Sequence, residues 1–77
     1  MNNIYSIVKK ALLSKEKKEY VFYALDRKKS TLREIRGNEI TDVNEFGFLI
    51  LLDGSQIPIH RIRKITFKGE VILERKG

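Results

Sequence analysis

The chain has 77 residues, of which 42% are apolar and 34% charged, and its formal net charge is +6. This length predicts a single domain over residues 1–77 with one small core, without room for a second core or a deep substrate cavity. No apolar run approaches the roughly 18 residues that a membrane-spanning helix needs, so we expect no membrane partner. The start of the chain lacks a signal-peptide pattern, which predicts a cytoplasmic location.

The chain has no cysteine and one histidine, His60. The missing thiols exclude disulfides, thiolate zinc sites and thiol nucleophiles, and one histidine cannot form a two-histidine metal site. We therefore predict no metal, no cofactor and no catalytic residues. The abundance of lysine, glutamate and arginine is typical of hyperthermophile proteins and favours a thermostable one.

The N-terminal segment has the apolar spacing of an amphipathic helix. The apolar stripe consists of Ile4, Ile7, Val8, Ala11 and Leu12. Asn2 or Asn3 is placed as the N-cap, and we expect the helix to end near Ser14. Lys15 to Glu19 is then a charged connector or one further helical turn. The next run, Tyr20 to Leu25, is apolar on both alternating faces, which predicts a central strand covered on both sides.

A second strand, Thr31 to Arg36, is predicted after the polar loop Asp26 to Ser30. Gly37-Asn38 signals a turn, and the spacing of three between Ile40 and Val43 favours a short turn there rather than a strand.

Two hairpins are predicted in the second half of the chain. Asp53-Gly54 joins a strand at Phe46 to Leu52 to a shorter one at Gln56 to Ile59. Lys68-Gly69 joins Lys64 to Phe67 with Glu70 to Glu74, and a charged tail starts at Arg75. The fold class is therefore α+β. We expect the N-terminal helix to pack on a strongly twisted antiparallel sheet or small open barrel of about five strands.

Between these hairpins the apolar spacing changes. Apolar residues alternate at Ile57 and Ile59 and then recur at steps of three at Ile62 and Ile65, which predicts one tight helical turn or a bend. Pro58 suits the end of an edge strand that enters such a bend. With the isoleucines turned inward, the basic residues between them are expected on one exposed face. The candidate RNA-binding residues are His60, Arg61, Arg63, Lys64 and Lys68.

Charge is segregated along the chain. Residues 37–59 contain four acidic residues and no basic one, whereas basic residues crowd the segments on either side. The group of basic residues directly before this acidic segment consists of Arg27, Lys28, Lys29, Arg33 and Arg36. Such segregation predicts a basic side and an acidic side of the surface, and a polyanion is the natural partner of the basic side.

The second half of the chain resembles a known family. The matching segments are Gly47 to Leu51, Ile57 to Ile65 and Lys68 to Arg75, and the Ile-Pro-x-His-Arg-Ile and Gly-x-Val-Ile-x-Glu-Arg patterns within them are the most specific. They resemble the RNA cyclic-group end recognition domain, a family of small archaeal proteins that also occurs fused to RNA-processing enzymes. Where that family has a glycine-rich loop, this chain has Asp26 to Ser30, whose basic residues could replace a backbone phosphate cradle electrostatically.

The resemblance implies a non-catalytic RNA-binding module that recognises phosphorylated or 2′,3′-cyclic-phosphate RNA ends, with RNA-processing or RNA-repair enzymes as further partners. In this interpretation Arg61 or Arg63 binds phosphate oxygens, and His60 is a further hydrogen-bond donor. Two alternatives stay open. One is a protein that coats duplex DNA without sequence preference. The other is a metal-free cyclic phosphodiesterase, although spacing marks no second acid or base beside His60.

Overall fold

The structure is a computed structural model, and it describes residues 4–75. Over that range it contains one α-helix and seven strands. The helix α1 is Ile4–Leu13, and the strands are β1 Tyr20–Asp26, β2 Thr31–Arg36, β3 Ile40–Val43, β4 Phe48–Leu51, β5 Gln56–Pro58, β6 Ile62–Phe67 and β7 Glu70–Glu74. Three 3₁₀ turns lie between them, at Lys17–Glu19, Gly37–Glu39 and Ile59–Arg61.

The strands form two antiparallel sheets. The four-stranded sheet has the order β2-β1-β6-β7, and the three-stranded sheet has the order β3-β4-β5. The α+β class is thus confirmed, whereas the single sheet or barrel of about five strands is replaced by two sheets. The chain passes from β5 to β6 through the 3₁₀ turn Ile59–Arg61, which confirms the predicted bend after Pro58.

The predicted turn at Ile40 and Val43 is wrong, because both residues belong to β3. The register of β3 against β4 shifts between Ile40 and Asp42, as it does at a β-bulge. The extra residue brings Ile40 and Val43 to the same buried face although they are three apart in sequence. A bulge therefore imitates the spacing of a helical turn.

Both hairpins are confirmed. β4 pairs with β5 across Asp53-Gly54, and β6 pairs with β7 across Lys68-Gly69. Lys68 and Gly69 have φ values of 52° and 83°, the positive pair that a type I′ turn requires and that glycine adopts readily. The strand predicted at Phe46 to Leu52 is longer than the observed β4, because turns occupy both of its ends.

The core lies on one face of the four-stranded sheet. Its fully buried members include Val8 of α1, Phe22 of β1, Ile35 of β2 and Leu49 of β4. The opposite face of β1, which carries Tyr23, is only half-buried. The expected central position of β1 is confirmed, but its expected cover on both sides is wrong, because α1 and the second sheet share one core against the same face.

Helix α1 agrees with its predicted stripe and ends at Leu13, while the predicted N-cap at Asn2 or Asn3 lies outside the described residues. The charged connector contains one 3₁₀ turn, Lys17–Glu19. That turn packs against Gly37, where any Cβ would overlap the Lys17 carbonyl oxygen. In the described part of the chain, no helix is long and apolar enough to cross a membrane.

Candidate nucleic-acid interface

Only one of the five predicted binding residues lines the largest cleft described below. Arg61 lines a cleft, whereas Arg63, Lys64 and Lys68 each contact another part of the protein. His60 is exposed in the same 3₁₀ turn as Arg61, but it is not among the residues that line the cleft. Neighbouring basic residues of the sequence are therefore divided among several environments.

Arg63 and Arg75 stabilise the 3₁₀ turn. The carbonyl oxygen of His60 accepts hydrogen bonds from Arg63 Nη1 at 2.7 Å and from Arg75 Nη2 at 2.9 Å. Arg75 also donates from Nε and Nη2 to the carbonyl of Ile62, at 3.2 and 3.0 Å. The residue expected to start a charged tail thus fixes the entry into β6.

Lys64 and Lys68 are also engaged within the chain. Lys64 Nζ lies 4.7 Å from the ring centroid of Tyr23, whose hydroxyl donates to Glu34 at 3.2 Å. Lys68 Nζ lies 2.7 Å from a carboxylate oxygen of Glu16, and this hydrogen-bonded pair raises the pKa of Lys68 above its usual value. Neither ammonium group lies at the cleft that Arg61 lines.

That cleft has a volume of about 330 Å³ and lies between the end of the β1–β2 hairpin and the β4–β5 hairpin. Its basic residues are Arg27, Lys28, Arg33 and Arg61. Asp26, Ser55 and Gln56 add polar groups, and Ala24, Leu25 and Ile57 form the apolar part of the wall. We call this site the basic cleft.

Strand register brings the guanidinium groups of β2 and of the 3₁₀ turn to one site. Ala24 of β1 is paired with Arg33 on one side and with Ile62, the residue after Arg61, on the other. Paired residues of antiparallel strands share a face, so Arg33 lies on the face that carries the core elsewhere. The small side chain of Ala24 leaves space between the two arginines.

The β1–β2 loop supplies the other two basic residues. Asp26 Oδ1 accepts hydrogen bonds from the backbone amides of Lys28 at 3.0 Å and Lys29 at 3.3 Å. This local pattern is an Asx turn, which fixes a loop conformation through the aspartate side chain. It holds Arg27 and Lys28 at the rim of the basic cleft.

The charges of the basic cleft are not neutralised by ion pairs. The two ion pairs found among residues 4–75 are Lys9–Asp42 and Lys68–Glu16, and neither includes a residue of the cleft. Arg61 Nε is buried and has no hydrogen-bond partner in the described part of the chain. Such a buried donor is unfavourable and is hidden from a ligand, whereas the two outer nitrogens of the Arg61 guanidinium group make no hydrogen bond to residues 4–75 and are available to a ligand oxygen.

Asp53 is the carboxylate on the far side of Arg33. Both belong to a smaller neighbouring cleft of about 150 Å³. Hydrogen bonds from the Ser55 hydroxyl at 2.6 Å and amide at 2.9 Å lower the pKa of Asp53, and the charge of Arg33 lowers it further. Asp53 therefore stabilises the β4–β5 hairpin. Its charge also attracts the Arg33 guanidinium group, although the two form no ion pair within 4 Å.

Sequence reasoning does not name Arg27, Lys28 or Arg33 as site residues. The signal that points to them is the crowding of basic residues before the acidic segment, together with the basic loop at Asp26 to Ser30. The strand register is needed to show that Arg33 and Arg61 line the same cleft. Among the described residues, no group of three or more His, Asp or Glu side chains is placed to hold a metal ion.

The fold and the basic cleft define a small α+β protein with a cationic surface site. The chain is 48% identical over 58 residues to UPF0248 protein MK0350 of Methanopyrus kandleri, an alignment that covers 74% of this chain and 76% of that protein. The chain therefore belongs to the UPF0248 family. No family model matches the chain, and no solved structure matches it.

Proposed function

We propose that this protein is a non-catalytic RNA-binding module that recognises phosphorylated or 2′,3′-cyclic-phosphate RNA ends. The observation that carries the proposal is the basic cleft, in which three guanidinium groups and one ammonium group surround about 330 Å³ without ion-pair partners. The resemblance to the RNA cyclic-group end recognition domain agrees with this function and implies RNA-processing or RNA-repair enzymes as partners.

The chemistry of the cleft suits phosphate. A guanidinium group presents a planar fork of donors that matches two phosphate oxygens, and a charge-assisted bond of this kind is stronger than a neutral one. Arg61 lines the cleft, and its two outer guanidinium nitrogens donate no hydrogen bond to residues 4–75. The Arg33 side chain is exposed and donates no hydrogen bond to residues 4–75, so its donors are available as well.

The size of the cleft favours the end of a strand. About 330 Å³ is at the lower limit of small-molecule sites, which suits a phosphate and its ribose rather than several nucleotides. A protein that coats duplex DNA requires a longer track of cations that contacts successive phosphates. Lys64 and Lys68, which would have extended such a track, contact Tyr23 and Glu16 instead.

The proposal is binding without cleavage. Arginine guanidinium groups stabilise negative charge but cannot serve as a base, because they do not lose their proton in proteins. The single carboxylate of the cleft, Asp26, accepts two hydrogen bonds from its own loop. These groups therefore favour holding a phosphate over opening a cyclic one.

The test is a binding titration of one short RNA that carries a 3′-hydroxyl, a 3′-phosphate or a 2′,3′-cyclic phosphate. Arg33→Ala should weaken binding of both phosphate-bearing ends and lower the salt slope of log K by about 0.7 for each phosphate that the variant no longer binds. Lys15→Ala, which removes an exposed cation from the connector between α1 and β1, is the matched control and should change neither quantity.

Equal affinity for the three ends would contradict end recognition, and tighter binding of duplex DNA would favour the coating protein. Loss of the cyclic phosphate during the titration would instead indicate the phosphodiesterase.

A further inference from the structure

We infer that the basic cleft is selective for a terminal phosphomonoester, the open 3′-phosphate of an RNA, over the 2′,3′-cyclic diester. This inference rests on the proposed function and narrows its ligand to one chemical class. Three features of the cleft support it: its excess charge, its number of unpaired donors and its apolar wall.

The first feature is charge. Arg27, Lys28, Arg33 and Arg61 face one carboxylate, Asp26, within the same cleft. The Asp26 carboxylate accepts hydrogen bonds from its own loop and still contributes one formal negative charge, so the cleft keeps an excess of three formal positive charges. A phosphomonoester carries between −1.5 and −2 charges near pH 7, whereas a cyclic diester carries about −1. The more highly charged end therefore gains more from this excess of cations.

The second feature is the number of donors. A monoester presents three terminal oxygens, whereas a cyclic diester presents two and places the others in its ring. Arg33 and Arg61 both line the cleft together with Ala24, and neither side chain donates a hydrogen bond to residues 4–75, so their outer guanidinium nitrogens lack protein acceptors. The third oxygen of a monoester would satisfy a donor that a cyclic end leaves unpaired.

The third feature is the wall next to Ala24. Ala24, Leu25 and Ile57 offer side chains without polar atoms, so the wall gives the fused ring of a cyclic end no specific hydrogen bond from these side chains. Ser55, the hydroxyl group on the β4–β5 side, donates to Asp53 at 2.6 Å. Discrimination between the two ends is thus left to charge and guanidinium geometry, and both favour the monoester.

The experiment compares one RNA sequence with its three ends at pH values from about 5 to 8. We expect the 3′-phosphate to bind about tenfold more tightly than the cyclic end at pH 7.5, and the cyclic end to bind more tightly than the hydroxyl. Affinity for the 3′-phosphate should fall several-fold toward pH 5, because the monoester takes up a proton near pH 6. The cyclic end has no such proton, so its affinity should stay within about twofold.

The cyclic end also serves as the control for titration of the protein. Asp26 lies in the cleft, Asp53 and Glu39 flank Arg33, and His60 precedes Arg61, so any of these groups would alter the binding of both ends. Repeating the profile with His60→Gln removes the imidazole, and the rise in 3′-phosphate affinity with pH should persist. A fall in affinity from pH 6 to 8 that His60→Gln abolishes would overturn the charge argument.

Three further outcomes separate the inference from the function on which it rests. A cyclic end that binds as tightly as the 3′-phosphate, with both above the hydroxyl, would overturn the monoester inference and leave end recognition standing. Equal binding of all three ends would overturn both. A 3′-mononucleotide or inorganic phosphate that competes as well as the RNA would show that the RNA chain contributes nothing, which would overturn the RNA-binding function itself.

A cleft variant tests the same inference from the side of the protein. Arg33→Ala should reduce the preference for the 3′-phosphate over the cyclic end, since it removes one fork of donors and one charge. Lys15→Ala should leave that preference unchanged. An unchanged preference in Arg33→Ala would contradict the placement of the monoester in the basic cleft.

Discussion

Arg61 and Arg63 are two positions apart in sequence, yet their guanidinium groups have different environments. Arg63 donates to the His60 carbonyl at 2.7 Å, where Arg75 also donates, so its charge stabilises the 3₁₀ turn. Arg61 lines the basic cleft, and its outer guanidinium nitrogens make no hydrogen bond in the described chain. The density of basic residues in a sequence is therefore not a measure of binding capacity, because only donors that the fold leaves unpaired and accessible are available to a ligand.

The largest difference between Arg61 and Arg63 is expected in RNA binding. Replacing each arginine by methionine tests it, because methionine keeps an aliphatic stem and removes the charge. Arg61→Met should weaken binding of the 3′-phosphate RNA by about 10- to 100-fold, as expected when charge-assisted hydrogen bonds are removed. Arg63→Met should weaken it by less than about threefold, because that guanidinium already bonds to His60. Equal effects in the two variants would instead place the binding site on the exposed face predicted from the sequence, which includes both arginines.

Arg75 is expected to stabilise the 3₁₀ turn Ile59–Arg61. Arg75→Ala removes three side-chain hydrogen bonds to the carbonyls of His60 and Ile62. The free energy of unfolding should fall by about 2 kcal/mol, since bonds from charged donors contribute more than neutral ones. Urea unfolding measures this change, with Lys15→Ala as the control. A variant as stable as the parent would show that the turn does not depend on Arg75.

Lys64 should have a smaller effect, on stability alone. Lys64→Met removes the ammonium group that lies 4.7 Å from the Tyr23 ring centroid but keeps most of the side-chain stem. We expect unfolding free energy to fall by about 0.5–1 kcal/mol, the usual size of such a contact at a partly exposed position. RNA affinity should change by less than about twofold. A tenfold decrease in affinity would place Lys64 in the interface.

The smallest effect is expected for the Lys68–Glu16 pair, which is exposed and screened by solvent. Glu16 raises the pKa of Lys68 above its usual value, so the pair stabilises the folded state below the usual lysine pKa and loses its contribution as pH rises through the raised pKa. The difference in thermal midpoint between the parent and Glu16→Gln should therefore be constant around neutral pH and decrease as pH rises through the raised pKa of Lys68. A difference that grows with pH would contradict the pairing.

Much of the fold is predictable because its signals are local. The stripe of α1, the X-Gly turns at Asp53-Gly54 and Lys68-Gly69, and the bend after Pro58 each depend on a few consecutive residues. The strand β3 escapes prediction because its bulge gives Ile40 and Val43 the spacing of a turn. Of the four basic residues in the cleft, the sequence indicates only Arg61 as a binding residue. The other three belong to the β1–β2 loop and to β2, which precede the acidic segment.

The α+β class, most strand positions and the separation of basic from acidic segments are all predictable from the amino-acid sequence. These properties follow from periodicity, turn residues and composition, which act over short distances along the chain. Which cations remain available to a ligand depends instead on the packing of distant segments. The pairing of Ala24 with both Arg33 and Ile62 brings two distant arginines together, whereas Lys64 and Lys68 contact Tyr23 and Glu16. Burial of the hydrophobic face fixes the strand register, and the register in turn fixes which residues lie next to each charged side chain.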